Sequence, residues 1–349
     1  MNDALRLAIL GAGNIASVHA QAIDAVEGAR LVVVCDAGSG RGRDLAERYG
    51  ARYAADAHAV VADPEVDGVV VTTPSGLHAD AVVAATERGK HALVEKPLDI
   101  RLDRCDAMIE AARRSGTVLA GVFQNRFAPG VARAREAVRA GRLGRLVLAN
   151  AAVPWHRPEA YYAGDGWRGS WRLDGGGALM NQGIHTVDLL QYLAGPLAAL
   201  SAATAARVHA IEVEDTAVAS LRFVDGALGT LHATTASWPG APARVELYGE
   251  KGSVVLEDGR ISMWRVAGAS PAEERALLEP DAGGGSGSAD PMAIGIERHR
   301  LQMEDFVDAV RTGRAPAVPG TEARRAVEIV LAVYASARSG RPVEFPLVG

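Results

Sequence analysis

A chain of 349 residues with 48% hydrophobic and 23% charged side chains is globular and long enough to bury two cores. Its net charge of -5, with Arg and Glu interspersed, leaves no basic face and excludes nucleic acid as a partner. No apolar run reaches the roughly 18 residues that span a bilayer, so no membrane partner is expected, and MNDALRLAIL enters a strand with no basic leader or cleavage site, which predicts a cytoplasmic protein.

The first apolar segment, Leu5, Leu7, Ala8, Ile9 and Leu10, has the composition of a parallel strand buried on both faces. It breaks at Gly11-Ala12-Gly13-Asn14-Ile15-Ala16 into a helix-like pattern. Gly11 can take backbone angles that a side chain forbids, Gly13 lets a pyrophosphate approach the main chain, and Ala16 lets helix and strand pack closely. The amides that open the helix, at Asn14 and Ile15, then face the phosphates. Gly-rich turns also close strands for purely structural reasons, so context has to decide. A second strand, 31–35, ends at Asp36, about 20 residues past the glycines, where a carboxylate accepts both hydroxyls of an adenosine ribose. The pattern predicts NAD as the cofactor. A 2′-phosphate beside Asp36 meets like charge, which disfavours NADP, although Arg41 and Arg43 follow on a Gly-rich turn that would bring a cation to it.

Next come a helix-like segment (41–49), a strand (66–71) ending in Thr72-Thr73-Pro74, a helix (77–88), a strand (91–94) ending in Glu95-Lys96-Pro97, a helix (102–115) and a strand (117–123). This alternation predicts an α/β Rossmann domain over residues 1–123, a doubly wound parallel sheet with helices on both faces. Ligands lie off the carboxyl ends of such strands. Thr73, Pro74 and His78 after one strand, Glu95 and Lys96 after the next, and Gln124 and Asn125 after the last join Gly11, Gly13, Asn14, Ile15 and Asp36 as expected cofactor-binding residues.

Residues 124–349 read as a second domain. A helix (131–140) and a strand (145–153) precede an aromatic-rich loop and a helix beginning near Gly177; β-like runs follow at 199–209, 216–223, 227–237 and 243–248. Helices no longer alternate with strands, which predicts an α+β domain with an open, mostly antiparallel sheet for substrate binding and oligomerisation. The Gly/Ser-rich stretch 281–290 reads as a mobile surface loop. Two helices, 294–312 and 322–339, close the chain. Cys35 and Cys105 read as small buried apolar residues rather than a disulfide or metal pair, and no metal site is expected.

Lys96 follows a buried strand at the edge where a nicotinamide sits, and Pro97 stiffens the turn that presents its amine. A partly desolvated lysine there can bond a substrate hydroxyl and favour its deprotonation. In GGGALMNQGIHTVD, residues 175–188, Asn181 and His185 stand four apart on one helix face, and Asp188 is placed to hold the imidazole in one tautomer. A histidine near neutral pKa suits the proton accepted when an alcohol loses hydride. The loops around Arg157, Trp167 and Arg168 concentrate aromatic and guanidinium groups that suit either a sugar wall or an oligomer contact.

The order GAGNIA, Asp36, TTPSGLH, EKP and GGGALMNQGIHTVD resembles the glucose-fructose oxidoreductase / inositol dehydrogenase (Gfo/Idh/MocA) family over nearly the whole chain. The resemblance implies a Rossmann domain plus an open-faced sheet domain, a homodimer or homotetramer, and a sugar, nucleotide sugar or cyclitol as substrate. It matches Lys96 and His185 to catalytic residues. Members resembling inositol dehydrogenase carry Asp where Asn181 stands, and an amide cannot accept a proton, so Asn181 is expected to bond a substrate hydroxyl. Arg126, Arg157, Trp167 and Arg168 are expected to shape the substrate pocket. The expected activity is hydride transfer between a secondary hydroxyl and the nicotinamide; a reductase of a non-sugar substrate and a non-catalytic NAD-binding sensor are the rival readings.

Overall fold

The computed structural model describes residues 4–38, 40–163, 166–278 and 295–347, arranged as two compact units. The first comprises Met1–Gln124 and Ile296–Val327, the second Asn125–Gly295 and Glu328–Gly349.

The first unit alternates strand and helix: β1 (Leu5–Leu10), α1 (Asn14–Asp24), β2 (Ala29–Cys35), α2 (Arg41–Arg48), β3 (Arg52–Ala54), α3 (Ala57–Ala62), β4 (Gly68–Val71), α4 (His78–Thr86), β5 (His91–Val94), α5 (Leu102–Ser115) and β6 (Leu119–Gly121). The strands form one parallel sheet in the order β3-β2-β1-β4-β5-β6. Both neighbours of β1 run parallel to it, and the order reverses there, which opens a crevice at the carboxyl ends of β1 and β4. β1, β4 and β5 are almost entirely buried because helices cover both faces, and that is why they consist mostly of Val, Leu, Ile and Ala. Gly11 closes β1 with φ +100°, and a Cβ there would lie 2.9 Å from the main-chain carbon and oxygen of Thr72. A side chain would both strain the turn and push β4 away.

The second unit carries α6 (Pro129–Arg139), β7 (Leu146–Pro154), a π-helix (Ala178–Gly183), α7 (Ile184–Ala194), β8 (Leu197–Ala205), β9 (Thr216–Phe223), β10 (Leu228–Thr234), β11 (Arg244–Gly249), β12 (Gly252–Glu257), β13 (Arg260–Val266) and α8 (Pro271–Leu278). With β14 (Val343–Glu344) they build an eight-stranded sheet, β13-β12-β11-β7-β10-β9-β8-β14, in which β7 and β10 pair in parallel and the other pairs are antiparallel. β9 and β10 alternate buried and exposed residues along their length, so one sheet face is packed and the other is open, with Val218 50% and Leu228 57% exposed on it.

Three expectations are corrected. Residues 124–349 do not form one domain: α9 (Glu297–Thr312) and the start of α10 (Gly320–Ser339) belong to the first unit. The reason is apolar packing, because Met303, Phe306 and Val307 of α9 join Leu7, Ile9 and Ile23 in one buried cluster. The strand expected to reach residue 209 ends at Ala205, since the amides of Arg207, Val208 and His209 turn to the Asp215 carboxylate at 2.7–3.0 Å. The helix expected near Gly177 begins as a π-helix. β3, α3, β12, β13, α8 and β14 were not foreseen; most are short. The expected loop 281–290 lies outside the described residues.

Phe306 is fully buried in the cluster that attaches α9. Phe306→Ala should cost about 3–5 kcal/mol, transfer plus cavity, and lower the denaturant midpoint of the first unit. A change under about 1 kcal/mol would show that α9 is not part of that core.

Candidate active site

At the carboxyl end of β1, no side chain caps α1 and its first turn carries no carboxylate, so the amides of that turn offer an anion site beside Gly13. A Cβ on Gly13 would meet nothing within 4 Å, which leaves room for a ligand against the main chain. Asp36 ends β2, where its Oδ1 accepts the Ala12 N–H at 3.2 Å and the Tyr53 hydroxyl donates to its main-chain oxygen at 2.8 Å. Gly42 packs so closely that a Cβ would stand 2.7 Å from the Asp36 Cβ. Arg43, one of the cations set against the NAD reading, stacks on the Tyr53 ring at 4.3 Å.

Thr73 Oγ1 and Gln124 Oε1 are buried and have no hydrogen-bond partner among the described residues. Orphaned polar atoms at strand ends are what a bound polar ligand would satisfy. Pro74 opens the short turn Ser75–Leu77 that follows, and Asn125 starts the second unit half-buried. Together with the Gly11–Ile15 turn and Asp36, these groups fit a dinucleotide.

His78 does not belong to that set. It is buried, its Nε2 and Nδ1 each lie 2.9 Å from a main-chain oxygen, of Thr73 and Pro97 respectively, and burial holds its pKa below the usual value. It braces two turns from inside.

Glu95 is also turned inward. Its Oε1 lies 2.8 Å from His19 Nε2 of α1, and its Oε2 accepts the Lys96 N–H at 3.0 Å. Burial raises the Glu95 carboxyl, but the hydrogen bond from His19 and the nearby charges of His19, Lys96 and His299 outweigh it and hold the group at about 2. Glu95 is therefore ionised and supports its neighbour. In residues 92–99 every side chain is buried except that of Lys96. His19, Glu95 and His299 bring one ligand-type atom each within 4.8 Å of one another, a grouping sequence spacing did not show because α1, β5 and α9 supply it.

In the second unit, Gly177 must be glycine for contact rather than dihedral reasons. A Cβ would fall 1.9 Å from the Glu214 main-chain oxygen. The Glu214 carboxylate takes the Gly177 and Leu179 N–H groups at 2.9 Å and the Tyr334 hydroxyl at 2.8 Å, tying down the start of the π-helix. Burial pushes the Glu214 carboxyl up, and these donors draw it back. Because residues 178–183 wind as a π-helix, the spacing of four between Asn181 and His185 no longer fixes a shared face. Over residues 174–191, His185 alone is half-exposed and all others are buried.

Asn181 is held from two sides. Its amide donates to Asp174 Oδ1 at 2.5 Å, and its oxygen accepts from Gln182 at 2.6 Å. Arg157, expected at the pocket, is buried against Trp155 and Tyr161 and donates to Gln182 Oε1 at 3.0 Å. Arg126, also expected there, gives two N–H groups to Asp188 at 2.7 and 2.6 Å and stacks on Tyr192. Both Asp188 oxygens accept from Arg126, a partner that sequence reading did not supply. The two arginines hold the framework, whereas Trp167 and Arg168 remain half-exposed, with Arg168 over both Trp167 and Tyr161. Asp174 and Glu214 were missed; the only hint was that Asp174 directly precedes the glycine run.

Comparison with known proteins fits both units. Residues 5–123 match the family described as "Oxidoreductase family, NAD-binding Rossmann fold", and residues 131–255 match the "GFO/IDH/MocA C-terminal domain". Myo-inositol 2-dehydrogenase of Thermotoga maritima is 27% identical over 97% of this chain and 98% of its own length. The NAD(+)-dependent scyllo-inositol 2-dehydrogenase of Bacillus subtilis is 28% identical over 99% and 97%. The WlbA dehydrogenase of Chromobacterium violaceum, solved with NADH and UDP-GlcNAcA, is 33% identical, covers 100% of this chain and 98% of that one, and superposes with a TM-score of 0.90.

Glu95 binds a proton more weakly folded than unfolded, so its stabilisation is present above the ordinary value of 4.5 and is lost as pH falls to about 2. Unfolding free energies from denaturant melts across that window should fall by roughly 3 kcal/mol more in the wild type than in Glu95→Gln. Parallel acid profiles would mean that Glu95 is not held ionised.

Proposed function

This chain belongs to the Gfo/Idh/MocA family of oxidoreductases, and on that premise we propose that it oxidises or reduces a secondary alcohol of a sugar, nucleotide sugar or cyclitol with NAD. The cofactor, when bound, supplies the hydride acceptor or donor. The Gly11–Ile15 turn and the start of α1 take the pyrophosphate, Asp36 takes the adenosine ribose, and Thr73 and Gln124 satisfy their buried oxygens on the bound dinucleotide. Asp36 disfavours a 2′-phosphate by like charge, and the stacking of Arg43 on Tyr53 supports NAD over NADP.

Lys96 and His185 handle the hydroxyl proton. One observation carries this assignment: each is the sole half-exposed side chain in a run that is otherwise buried. An ionisable group presented singly from a buried frame is positioned by its neighbours rather than by solvent. Asn181, locked between Asp174 and Gln182, sets the shape of the wall next to His185. A nucleotide sugar is the preferred substrate: the WlbA dehydrogenase is 33% identical against 27–28% for the two inositol dehydrogenases, and Trp167 and Arg168 suit a base or sugar face and an anionic group.

The open sheet face with Val218 and Leu228 supports a homodimer or homotetramer packed through it, since apolar groups so exposed gain by mutual burial. Both cysteines are free buried thiols, a state that a reducing compartment maintains, and the reading places the enzyme in the cytoplasm. No described helix is long and apolar enough to cross a membrane.

Lys96→Ala and His185→Ala should each retain NAD affinity in direct titration and lose about 10²- to 10⁴-fold in turnover, the range for removing a proton-handling group. Turnover that survives in His185→Ala within about threefold would remove histidine from the proton path. Light scattering should give a multiple of the 36.4 kDa chain mass, and a monomer at micromolar concentration would leave the open face without its partner.

A further inference from the structure

The chain carries 37 basic residues, of which only Lys90, Lys96 and Lys251 are lysine. Lys90 has an evident structural task, because its Nζ donates to the main-chain oxygens of Asp63 and Val66 at 2.9 and 2.6 Å. Lys96 adjoins Glu95, a buried carboxylate that lies against two histidines. His19 is 1% exposed, Glu95 7% and His299 3%, and the two imidazoles meet edge to face with centroids 5.5 Å apart.

We propose that His19, backed by His299, is a positioning residue for Lys96: its imidazole fixes the Glu95 carboxylate, and that carboxylate fixes the main chain and the charge beside the lysine amine. The chain of bonds is short and directional. An ionised carboxylate only accepts, so His19 Nε2 carries the hydrogen of the 2.8 Å contact, and the other Glu95 oxygen is left to receive the Lys96 N–H at 3.0 Å. A buried carboxylate deprived of its donor must take up a proton or turn to another partner, because desolvation of an unpaired anion costs several kcal/mol. Either change removes negative charge from next to Lys96 and frees the turn that presents it. His299, from α9, meets the His19 ring edge to face and brings a ring nitrogen within 4.8 Å of the same carboxylate. His19 also sits one turn into the helix whose first amides face the dinucleotide, so a single imidazole ties the cofactor-side helix to the strand end that carries the lysine.

The proposal rests on Lys96 as the residue that meets the substrate hydroxyl, yet it can be tested without a substrate. Competitive acetylation of the intact protein, read by peptide mass spectrometry, compares Lys96 with Lys90 and Lys251 in the same molecule. Leu at position 19 fills space without a donor, whereas Gln offers an N–H. At fixed neutral pH, His19→Leu and Glu95→Gln should raise the ratio of Lys96 to Lys251 acetylation about tenfold, as expected if the amine loses a neighbouring charge worth about one pKa unit. His19→Gln should stay within about twofold of the wild type, and the ratio of Lys90 to Lys251 should not move in any variant. Should His19→Leu fail to fold, Glu95→Gln against the wild type decides the question alone. Identical ratios in the wild type and in Glu95→Gln, or in the Leu and Gln variants, overturn the proposal. So does one equivalent of zinc, iron or cobalt in the purified wild type that is lost on changing His19, because the imidazoles would then hold a metal. A protein that oxidises no sugar would defeat the dehydrogenase reading and leave the acetylation result standing.

Discussion

A carboxyl group can be buried only where hydrogen-bond partners or opposite charge replace its water, and the framework depends on that constraint at three places. Glu95 is held by His19 and the Lys96 N–H, Asp188 by the Arg126 guanidinium, and Glu214 by two main-chain amides and Tyr334. Glu95 adjoins Lys96, Asp188 lies three residues from His185, and Glu214 accepts from the amides that open the π-helix before His185. Under the proposed function, the buried groups that aim Lys96 and His185 outnumber the two side chains they present. Such networks are costly if half-satisfied, so losing any one donor endangers the geometry before it endangers the fold.

The parallel sheet of the first unit was legible because its strands are buried on both faces and therefore consist of almost nothing but Val, Leu, Ile and Ala. Gly11 was legible for a related reason, since its turn is pressed against Thr72 and tolerates no side chain. The return of α9 to the first unit was not. Its apolar residues fit any helix that packs on something, and only the three-dimensional cluster with Leu7 and Ile9 shows which core they join. The π-helix was hidden too, because the glycines that open it and the Glu214 carboxylate that anchors it are separated by α7, β8 and a loop.

The site residues divide along the same line. Lys96, His185, Asp36 and the Gly11–Gly13 turn are assigned to the proposed site from local spacing, and Lys96 and His185 are half-exposed within buried runs. Arg126, Arg157, His78 and Glu95 were expected to face a ligand because polar residues near a functional motif invite that reading, and sequence carries no direct measure of burial. Arg126, Arg157 and Glu95 face inward to Asp188, Gln182 and His19, 62, 25 and 76 residues away, while His78 is held by the nearby main chain of Thr73 and Pro97. His19, His299 and Glu214 left no local signal, and Asp174 only its place before the glycine run, as their meaning lies in pairs formed by folding.

The central claim is that this framework serves hydride exchange between NAD and a sugar-like secondary alcohol. The most direct measurement incubates the full-length protein with NAD and a panel of UDP-hexoses, UDP-hexuronates, inositols and free aldoses, and follows the absorbance of reduced nicotinamide. The account predicts reduction with at least one member, strongest among the nucleotide sugars, and none when the same substrate lacks its secondary hydroxyl. Tight NAD binding with no reduction by any member, and no oxidation of NADH by the corresponding ketones, would contradict it.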